Sequence, residues 1–289
     1  MTKQTVAFIG TGAMGAPMAA RLIDAGYPLR VFNRSKNKAL PLIEKGAEWC
    51  NAPGHCAQKA KFVVTMAGNP RDVEEIYYGS MGIFQYARRG AVLIDMTTGS
   101  PAMACRISAE ADARGMYALD APVSGDPAAA AAASLRIFVG GEQNAFAKAR
   151  PLLKRLGKRI THIGPAGAGQ HAKMAGQIAI AGILGGLCEA VAYVEAMGIN
   201  GMNVLHAIGE GAADSWQMRH NGERILSRDP AGGLPVRLFA KDMDIALMEA
   251  DERELTLPIA EGVRGMYRAL QQRGMNDCGI QSLIQYFDH

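Results

Sequence analysis

Cysteine is scarce in this sequence, and its positions favour neither a metal site nor a disulfide framework. The five cysteines are Cys50, Cys56, Cys105, Cys188 and Cys278. They form no CxxC pair and no ligand spacing with the six histidines. We therefore predict no bound metal and expect reduced thiols in a cytoplasmic protein.

An excess of charge of one sign is also lacking. The formal net charge of the 289 residues is +4, with lysine and arginine spread along the chain, so we expect no nucleic-acid partner. A strand pattern begins almost at once, without the basic and apolar segments of a signal peptide. The longest nearly uncharged stretch contains Gln170, Lys173 and several glycines, which predicts a buried helix and no membrane partner.

A glycine-rich turn follows the first strand pattern, Thr5–Ile9. Its residues are Gly10-Thr11-Gly12-Ala13-Met14-Gly15, and good helix formers continue after it. This order of strand, GxGxxG turn and helix is typical of a dinucleotide site. Gly10 allows a tight turn, Gly12 lets backbone N–H groups approach a pyrophosphate, and Gly15 lets the helix pack closely on the strand.

An acidic residue is missing where such a fold binds the adenosine ribose. The second predicted strand, Leu29–Phe32, is followed by Asn33-Arg34-Ser35. Asn33 can donate a hydrogen bond, Arg34 can pair with a 2′-phosphate, and Ser35 adds a hydroxyl, so the cofactor is predicted to be NADP, with NAD possible. The alternative interpretation is a helix N-cap with a solvated arginine.

Two further strand ends supply candidate site residues. Phe62–Met66 and Ala91–Met96 lead to Met66, Ala67 and Thr97, which we predict to line the nicotinamide half of the crevice. Ser100-Pro101 is interpreted as a helix start.

The strand predicted at Ala118–Val123 leads to Ser124-Gly125, then to Asp126-Pro127 and a run of alanines. Free N–H groups at this helix start would form a carboxylate cradle. Asp126 would repel an acidic substrate there, and we expect it to point outward as an N-cap.

Strand patterns end at Arg136–Val139 and Lys158–Ile163, with a predicted helix over Glu142–Leu156 between them. The Gly164-Pro165 break follows. We therefore predict an α/β fold: an N-terminal Rossmann NAD(P)-binding domain, residues 1–163, followed by an all-α C-terminal substrate and oligomerisation domain, residues 164–289. The predicted helices of the second domain are Gly167–Met197, Met202–Glu210, Trp216–Ile225, Leu238–Leu255, Ile259–Arg273 and Ile280–Phe287.

Five motifs occur together along nearly the whole chain. They are Gly10-Thr11-Gly12-Ala13-Met14-Gly15-Ala16-Pro17-Met18, Asp95-Met96-Thr97-Thr98 with Pro101, Asp120-Ala121-Pro122-Val123-Ser124-Gly125, Gly167-Ala168-Gly169-Gln170-His171-Ala172-Lys173, and Lys241-Asp242. In this order they resemble the β-hydroxyacid dehydrogenase family, which includes 3-hydroxyisobutyrate dehydrogenase, tartronate semialdehyde reductase and glyoxylate/succinic semialdehyde reductase.

The resemblance implies roles for individual residues. Lys173 would be the catalytic acid/base, Ser124 and Gly125 would hold the substrate carboxylate, Gln177 would orient the substrate, and Lys241 would contact the cofactor. The implied reaction interconverts a short β-hydroxy acid and its semialdehyde or keto acid, and the expected assembly is a homodimer or homotetramer. Two departures, Asp126 and Gly176 in place of a glycine and a frequent asparagine, leave the substrate open.

Two alternatives to this function remain. An imine reductase has a similar two-domain architecture, but typically has Asp or Tyr at the position of Lys173. A non-catalytic NADP-binding scaffold usually lacks the lysine.

Overall fold

The computed structural model describes residues 3–288. Residue contacts divide the chain into a unit that ends at Lys173 and a unit that begins at Met174. The first unit is mixed α/β and the second is helical. The domain boundary at Ile163 stays a prediction.

Within the described residues, one sheet of nine strands forms the centre of the first unit. The strands are β1 Val6–Ile9, β2 Leu29–Phe32, β3 Glu48–Trp49, β4 Phe62–Thr65, β5 Val92–Asp95, β6 Tyr117–Asp120, β7 Val123–Ser124, β8 Leu135–Gly141 and β9 Gly157–Gly164. Their order is β3-β2-β1-β4-β5-β6-β8-β7, with β9 beside β8. The first six strands in this order are parallel to one another. The parallel part is the doubly wound dinucleotide-binding topology that was predicted, and an antiparallel extension continues it.

Helices cover the two faces of this sheet. They are α1 Gly15–Asp24, α2 Leu40–Glu44, α3 Pro53–Ala57, α4 Pro70–Tyr78, α5 Ile83–Tyr86, α6 Pro101–Ala113, α7 Pro127–Ala131 and α8 Gln143–Leu153, with a 3-10 helix at Lys36–Ala39. On β1, Val6 and Phe8 belong to one core cluster, while Ala7 and Ile9 belong to another. Successive side chains point to opposite faces, so a strand buried on both faces is apolar throughout.

The prediction of a single strand at Ala118–Val123 is wrong in one respect, because the structure has two strands there, β6 and β7. Pro122 lies between β6 and β7, and proline has no N–H for a sheet ladder. Its carbonyl instead accepts a hydrogen bond from Phe138 N at 3.1 Å. β7 then pairs antiparallel with β8, which places Ser124 opposite Arg136.

The second unit is built from helices around one apolar cluster. The helices are α9 Ala168–Ala196, which begins in the first unit, α10 Gly201–Ile208, α11 Trp216–Leu226, α12 Val236–Asp251 and α13 Pro258–Gln272. Gly185 lets α13 approach α9, since a Cβ there would lie 2.8 Å from Val263 Cγ2. By length and composition α9 could also span a membrane, a property that core helices share.

The last predicted helix, Ile280–Phe287, is a 3-10 helix over Ile280–Tyr286 and not an α-helix. The carbonyl of Ile280 accepts a hydrogen bond from the Tyr267 hydroxyl at 2.7 Å. That carbonyl therefore has a hydrogen-bond partner that is not part of an α-helix. Short 3-10 segments are common as connectors and at the ends of helices.

Candidate active site

The glycine turn between β1 and α1 has the geometry that its sequence predicts. Gly10 has φ +97°, and a Cβ there would lie 2.2 Å from the Met66 carbonyl oxygen. A Cβ on Gly15 would lie 1.9 Å from the Gly10 carbonyl oxygen, so both positions exclude a side chain. Gly12, by contrast, has open space beside it. The backbone is thus exposed to a ligand at Gly12 and packed closely at the other two glycines.

The same turn holds a buried hydroxyl that the described part of the chain leaves without a hydrogen-bond partner. Thr11 is 1% exposed, and its Oγ1 has no partner among residues 3–288. Helix α1, which follows, has no side-chain N-cap. A buried donor at the positive end of this helix fits the pyrophosphate of a dinucleotide.

Asn33 ties the end of β2 to the glycine turn. Its Oδ1 accepts from Thr11 N at 3.0 Å, and its Nδ2 donates to the Ser35 carbonyl at 3.0 Å. Ser35 precedes the 3-10 helix, but its side chain makes no capping hydrogen bond. The side chain of Arg34 is 83% exposed and pairs with Asp72 at 3.2 Å. Ser35 thus occupies the N-cap position without a side-chain hydrogen bond, and Arg34 is exposed. The alternative of a helix N-cap with a solvated arginine therefore stays open, and the predicted cofactor contacts of these residues stay predictions.

The ends of β4 and β5 are linked through Thr97. Its hydroxyl accepts from Ala67 N at 2.8 Å, and Met66 N donates to the Ile9 carbonyl at 2.9 Å. Thr97 is 2% exposed, so its side chain joins two strand ends. Met66, Ala67 and Thr97 lie at the carboxyl edge of the sheet, as predicted, and their contact with nicotinamide stays a prediction.

Asp95 is a buried acid at the same edge whose role sequence reasoning missed. Its Oδ1 accepts from the Thr65 hydroxyl at 2.8 Å and from Thr97 N at 3.1 Å, and Thr65 also contacts the Tyr77 hydroxyl at 3.2 Å. Burial raises the pKa of Asp95 to about 6. The signal in the sequence was an acid at the end of an apolar strand.

Asp120 and Gln170 fix the first turn of α9, and their roles were also missed. Asp120 Oδ1 accepts from Gly167 N and its Oδ2 from Gln170 N, both at 2.8 Å. Burial raises the pKa of Asp120, while hydrogen bonds from these backbone groups lower it. The Gln170 amide accepts from Gly99 N at 3.0 Å and donates to the Thr97 carbonyl at 2.8 Å. Hydrogen bonds between residues 47 to 73 positions apart thus position this helix start.

The turn after β7 contains the residues that were predicted to form a carboxylate cradle. Gly125 has φ +140°, a conformation that favours glycine. Asp126 accepts from Ala129 N at 2.7 Å, and Pro127 begins α7. The N-cap prediction for Asp126 is confirmed, while the contact of Ser124 and Gly125 with a substrate stays a prediction.

Lys173 lies on α9, one turn after Gln170, and is half-buried. In the second unit, Gln177 Nε2 donates to Asp242 Oδ2 at 2.6 Å, and Lys241 Nζ lies 3.0 Å from Asp242 Oδ1. Gln177 and Asp242 are 1% and 4% exposed. Asp242 therefore joins two residues that were predicted to contact substrate and cofactor, roles that stay predictions.

Comparison with known proteins identifies the family. Residues 5–164 match the model of the NAD binding domain of 6-phosphogluconate dehydrogenase, and residues 167–287 match that of the NAD-binding domain of NADP-dependent 3-hydroxyisobutyrate dehydrogenase. A 3-hydroxyisobutyrate dehydrogenase of Pseudomonas aeruginosa is 32% identical over 292 residues, covering 97% of this chain and 98% of that protein. This chain belongs to the 3-hydroxyisobutyrate dehydrogenase family. It is an NAD(P)-binding oxidoreductase, as the five motifs predicted.

Other proteins similar to this chain are named for more than one activity. An NAD-dependent L-serine dehydrogenase of P. aeruginosa is 33% identical over 290 residues, covering 98% of this chain and 97% of that protein. A Mycobacterium tuberculosis 3-hydroxyisobutyrate dehydrogenase with L-serine has a TM-score of 0.93 and 28% identity, covering 99% of this chain and all of that one. An imine reductase from Myxococcus stipitatus has a TM-score of 0.67 and 21% identity, covering 99% of this chain and all of that one. This similarity shows a shared fold and nothing about activity.

Proposed function

We propose that this member interconverts a short β-hydroxy acid and its semialdehyde or keto acid by hydride transfer, with NADP(H) preferred and Lys173 as the general acid/base. One observation carries the proposal. Lys173 follows the first turn of α9, which Asp120 and Gln170 hold at the carboxyl ends of β5 and β6. Ligands of open α/β sheets bind outside these strand ends, so a lysine there is suited to act on a bound substrate.

In this proposal, Lys173 supplies or accepts the proton that accompanies hydride transfer. When bound, a nicotinamide dinucleotide supplies or takes up the hydride. In the reducing direction the Lys173 ammonium hydrogen-bonds the carbonyl oxygen of the substrate and gives it a proton as the alcohol forms. In the oxidising direction the neutral amine takes that proton back. The backbone N–H groups around Ser124 and Gly125 hold the substrate carboxylate, which fixes the reacting carbon against the lysine.

The preference for NADP(H) is proposed from Arg34. Its side chain is 83% exposed beside Asn33, which is bonded to the glycine turn. A guanidinium at this position can pair with a 2′-phosphate. The family names support neither cofactor alone, since one relative is named NAD-dependent and one family model is described as NADP-dependent.

The test is oxidation of NADPH and NADH by the purified protein against glyoxylate, succinic semialdehyde, methylmalonate semialdehyde and tartronate semialdehyde. L-Serine and 3-hydroxyisobutyrate are assayed in the reverse direction because relatives carry these names. We expect Lys173→Met to lower kcat at least ~100-fold while the Kd for NADPH stays within about twofold. Lys158→Met, on exposed β9, is the matched control.

Near wild-type turnover by Lys173→Met would refute the acid/base role. Turnover of a cyclic imine, with none on any carbonyl acid, would favour the imine reductase alternative. Binding of NADPH without turnover of any substrate would favour the non-catalytic scaffold.

A further inference from the structure

Asp72 is an acid in the first turn of α4 whose carboxylate is held in place. Asn69, the N-cap of α4, accepts from Asp72 N at 2.9 Å, and its Nδ2 donates to Asp72 Oδ2 at 2.9 Å. These two bonds form a reciprocal cap at the helix start. One carboxylate oxygen is thereby engaged by Asn69, and the other, Oδ1, lies 3.2 Å from Arg34 Nη1.

The ion pair with Arg34 joins two segments that follow strands of the sheet. Arg34 comes directly after β2, and Asp72, 38 residues further along the chain, lies in the first turn of α4, the helix after β4. The Asp72 side chain is 22% exposed, whereas that of Arg34 is 83% exposed. The acid is therefore the more constrained partner, and the exposed arginine is the one that another anion can reach.

We infer that Asp72 is a specificity-determining residue, which weakens binding of NADP(H) by competing with the 2′-phosphate for Arg34. The inference rests on the proposed role of Arg34. A 2′-phosphate that pairs with this guanidinium either displaces the carboxylate or is bound beside it, and two like charges at one cation repel each other. NAD(H) has no such phosphate and leaves the Arg34–Asp72 pair intact. The acid that is missing directly after β2 is thus supplied from the start of α4, which reduces the preference for NADP(H).

The experiment measures the Kd of NADPH and of NADH for the full-length protein by fluorescence titration. Asp72→Asn removes the charge and keeps an amide oxygen that can accept from Asn69. We expect it to tighten NADPH binding about threefold to tenfold, with the Kd of NADH changed less than about twofold. The gain should shrink at 0.5 M salt, because the interaction is between exposed charges. Asp112→Asn, at an exposed acid on α6, is the matched control and should change neither constant.

Arg34→Ala and the double variant Arg34→Ala/Asp72→Asn complete a mutant cycle. We expect Arg34→Ala to weaken NADPH binding, and the second substitution to have no further effect on it. If Arg34→Ala weakens NADPH binding but Asp72→Asn leaves it unchanged, the inference fails and the proposed cofactor preference stands. If Arg34→Ala leaves the Kd of NADPH unchanged, the proposed preference fails and the inference fails with it. If Asp72→Asn weakens NADH binding and leaves the Kd of NADPH unchanged, the inferred competition for Arg34 is overturned. Asp72 would then contact the ribose of the cofactor directly.

Discussion

At the scale of a single residue, the buried carboxyl group of Asp95 makes the stability of the protein depend on pH. Burial raises the pKa of its carboxyl to about 6 in the folded protein, against about 3.9 for an unfolded chain. The folded state therefore binds more protons than the unfolded state between these values. The contribution of Asp95 to the free energy of unfolding is greatest below pH 4 and falls as the pH rises to 6, by about 2–3 kcal/mol in all.

Asp95→Asn isolates this effect, because asparagine does not titrate and its amide oxygen can still accept from the Thr65 hydroxyl and Thr97 N. We expect the free energy of unfolding of the wild type, relative to Asp95→Asn, to be about 2–3 kcal/mol lower at pH 8 than at pH 4. Urea unfolding of both proteins across this range measures the difference. A difference that does not change with pH would show that Asp95 titrates alike in the folded and unfolded chains.

Residues differ in how far the sequence could predict them. Gly10 and Gly15 were predictable, because their role depends on backbone geometry within a local motif. Asp126 was predictable as an N-cap from the proline that follows it. The roles of Asp120 and Gln170 were not, since their partners lie 47 to 73 residues away along the chain. Local patterns predict local hydrogen bonds, and those that join distant segments become visible only in the fold.

At the scale of elements, the start of α9 packs directly on the backbone of the sheet. A Cβ on Gly169 would lie 2.6 Å from the Phe138 carbonyl oxygen and 2.8 Å from that of Asp120. A Cβ on Gly140, across this contact, would lie 2.7 Å from Gly169 N. Because Gly140 and Gly169 have no side chains, α9, the helix that carries Lys173, can begin in contact with the backbone of β6 and β8.

We expect Gly169→Ala to destabilise the protein by about 2–4 kcal/mol and to lower kcat, because backbone atoms must move apart and the first turn of α9 moves with them. Gly186→Ala is the matched control on the same helix, since nothing lies within 4 Å of a Cβ there. It should be neutral, or stabilising by about 1 kcal/mol. Urea unfolding and steady-state kinetics of both variants check this. Equal stability of the two would mean that the helix start tolerates a shift.

The elements that sequence reasoning missed have physical reasons in common. β3 and β7 are two residues long, too short to show a periodic pattern. The break at Pro122 and the 3-10 helix at Ile280–Tyr286 depend on hydrogen bonds to other segments. Elements with a clear apolar run, such as β2 and α9, were predicted to within one residue of their ends.

At the scale of the whole molecule, the fold class and the family followed from the order of motifs along the chain. The polar pairs around the candidate site did not, because Arg34 with Asp72, and Gln177 with Asp242, join residues 38 and 65 positions apart. Nor did the sequence predict which apolar side chains stay exposed. In the second unit these include Ile183, Tyr193, Met248 and Ile259, at 44%, 65%, 49% and 67% exposure.

These exposed side chains support the predicted homo-oligomer. Ile259 at the start of α13 lies against α9, since its Cγ2 is 3.5 Å from the Cβ position of Gly182. Large exposed apolar groups on adjoining helices are typical of an interface between subunits. We expect light scattering after size exclusion to give a dimer or tetramer, and Ile259→Glu to shift it toward smaller species, because a buried unpaired charge opposes association. Leu40→Glu, on α2 at 42% exposure, is the control and should leave the mass unchanged. A wild-type monomer, or an oligomer unaffected by Ile259→Glu, would show that subunits do not associate through this face.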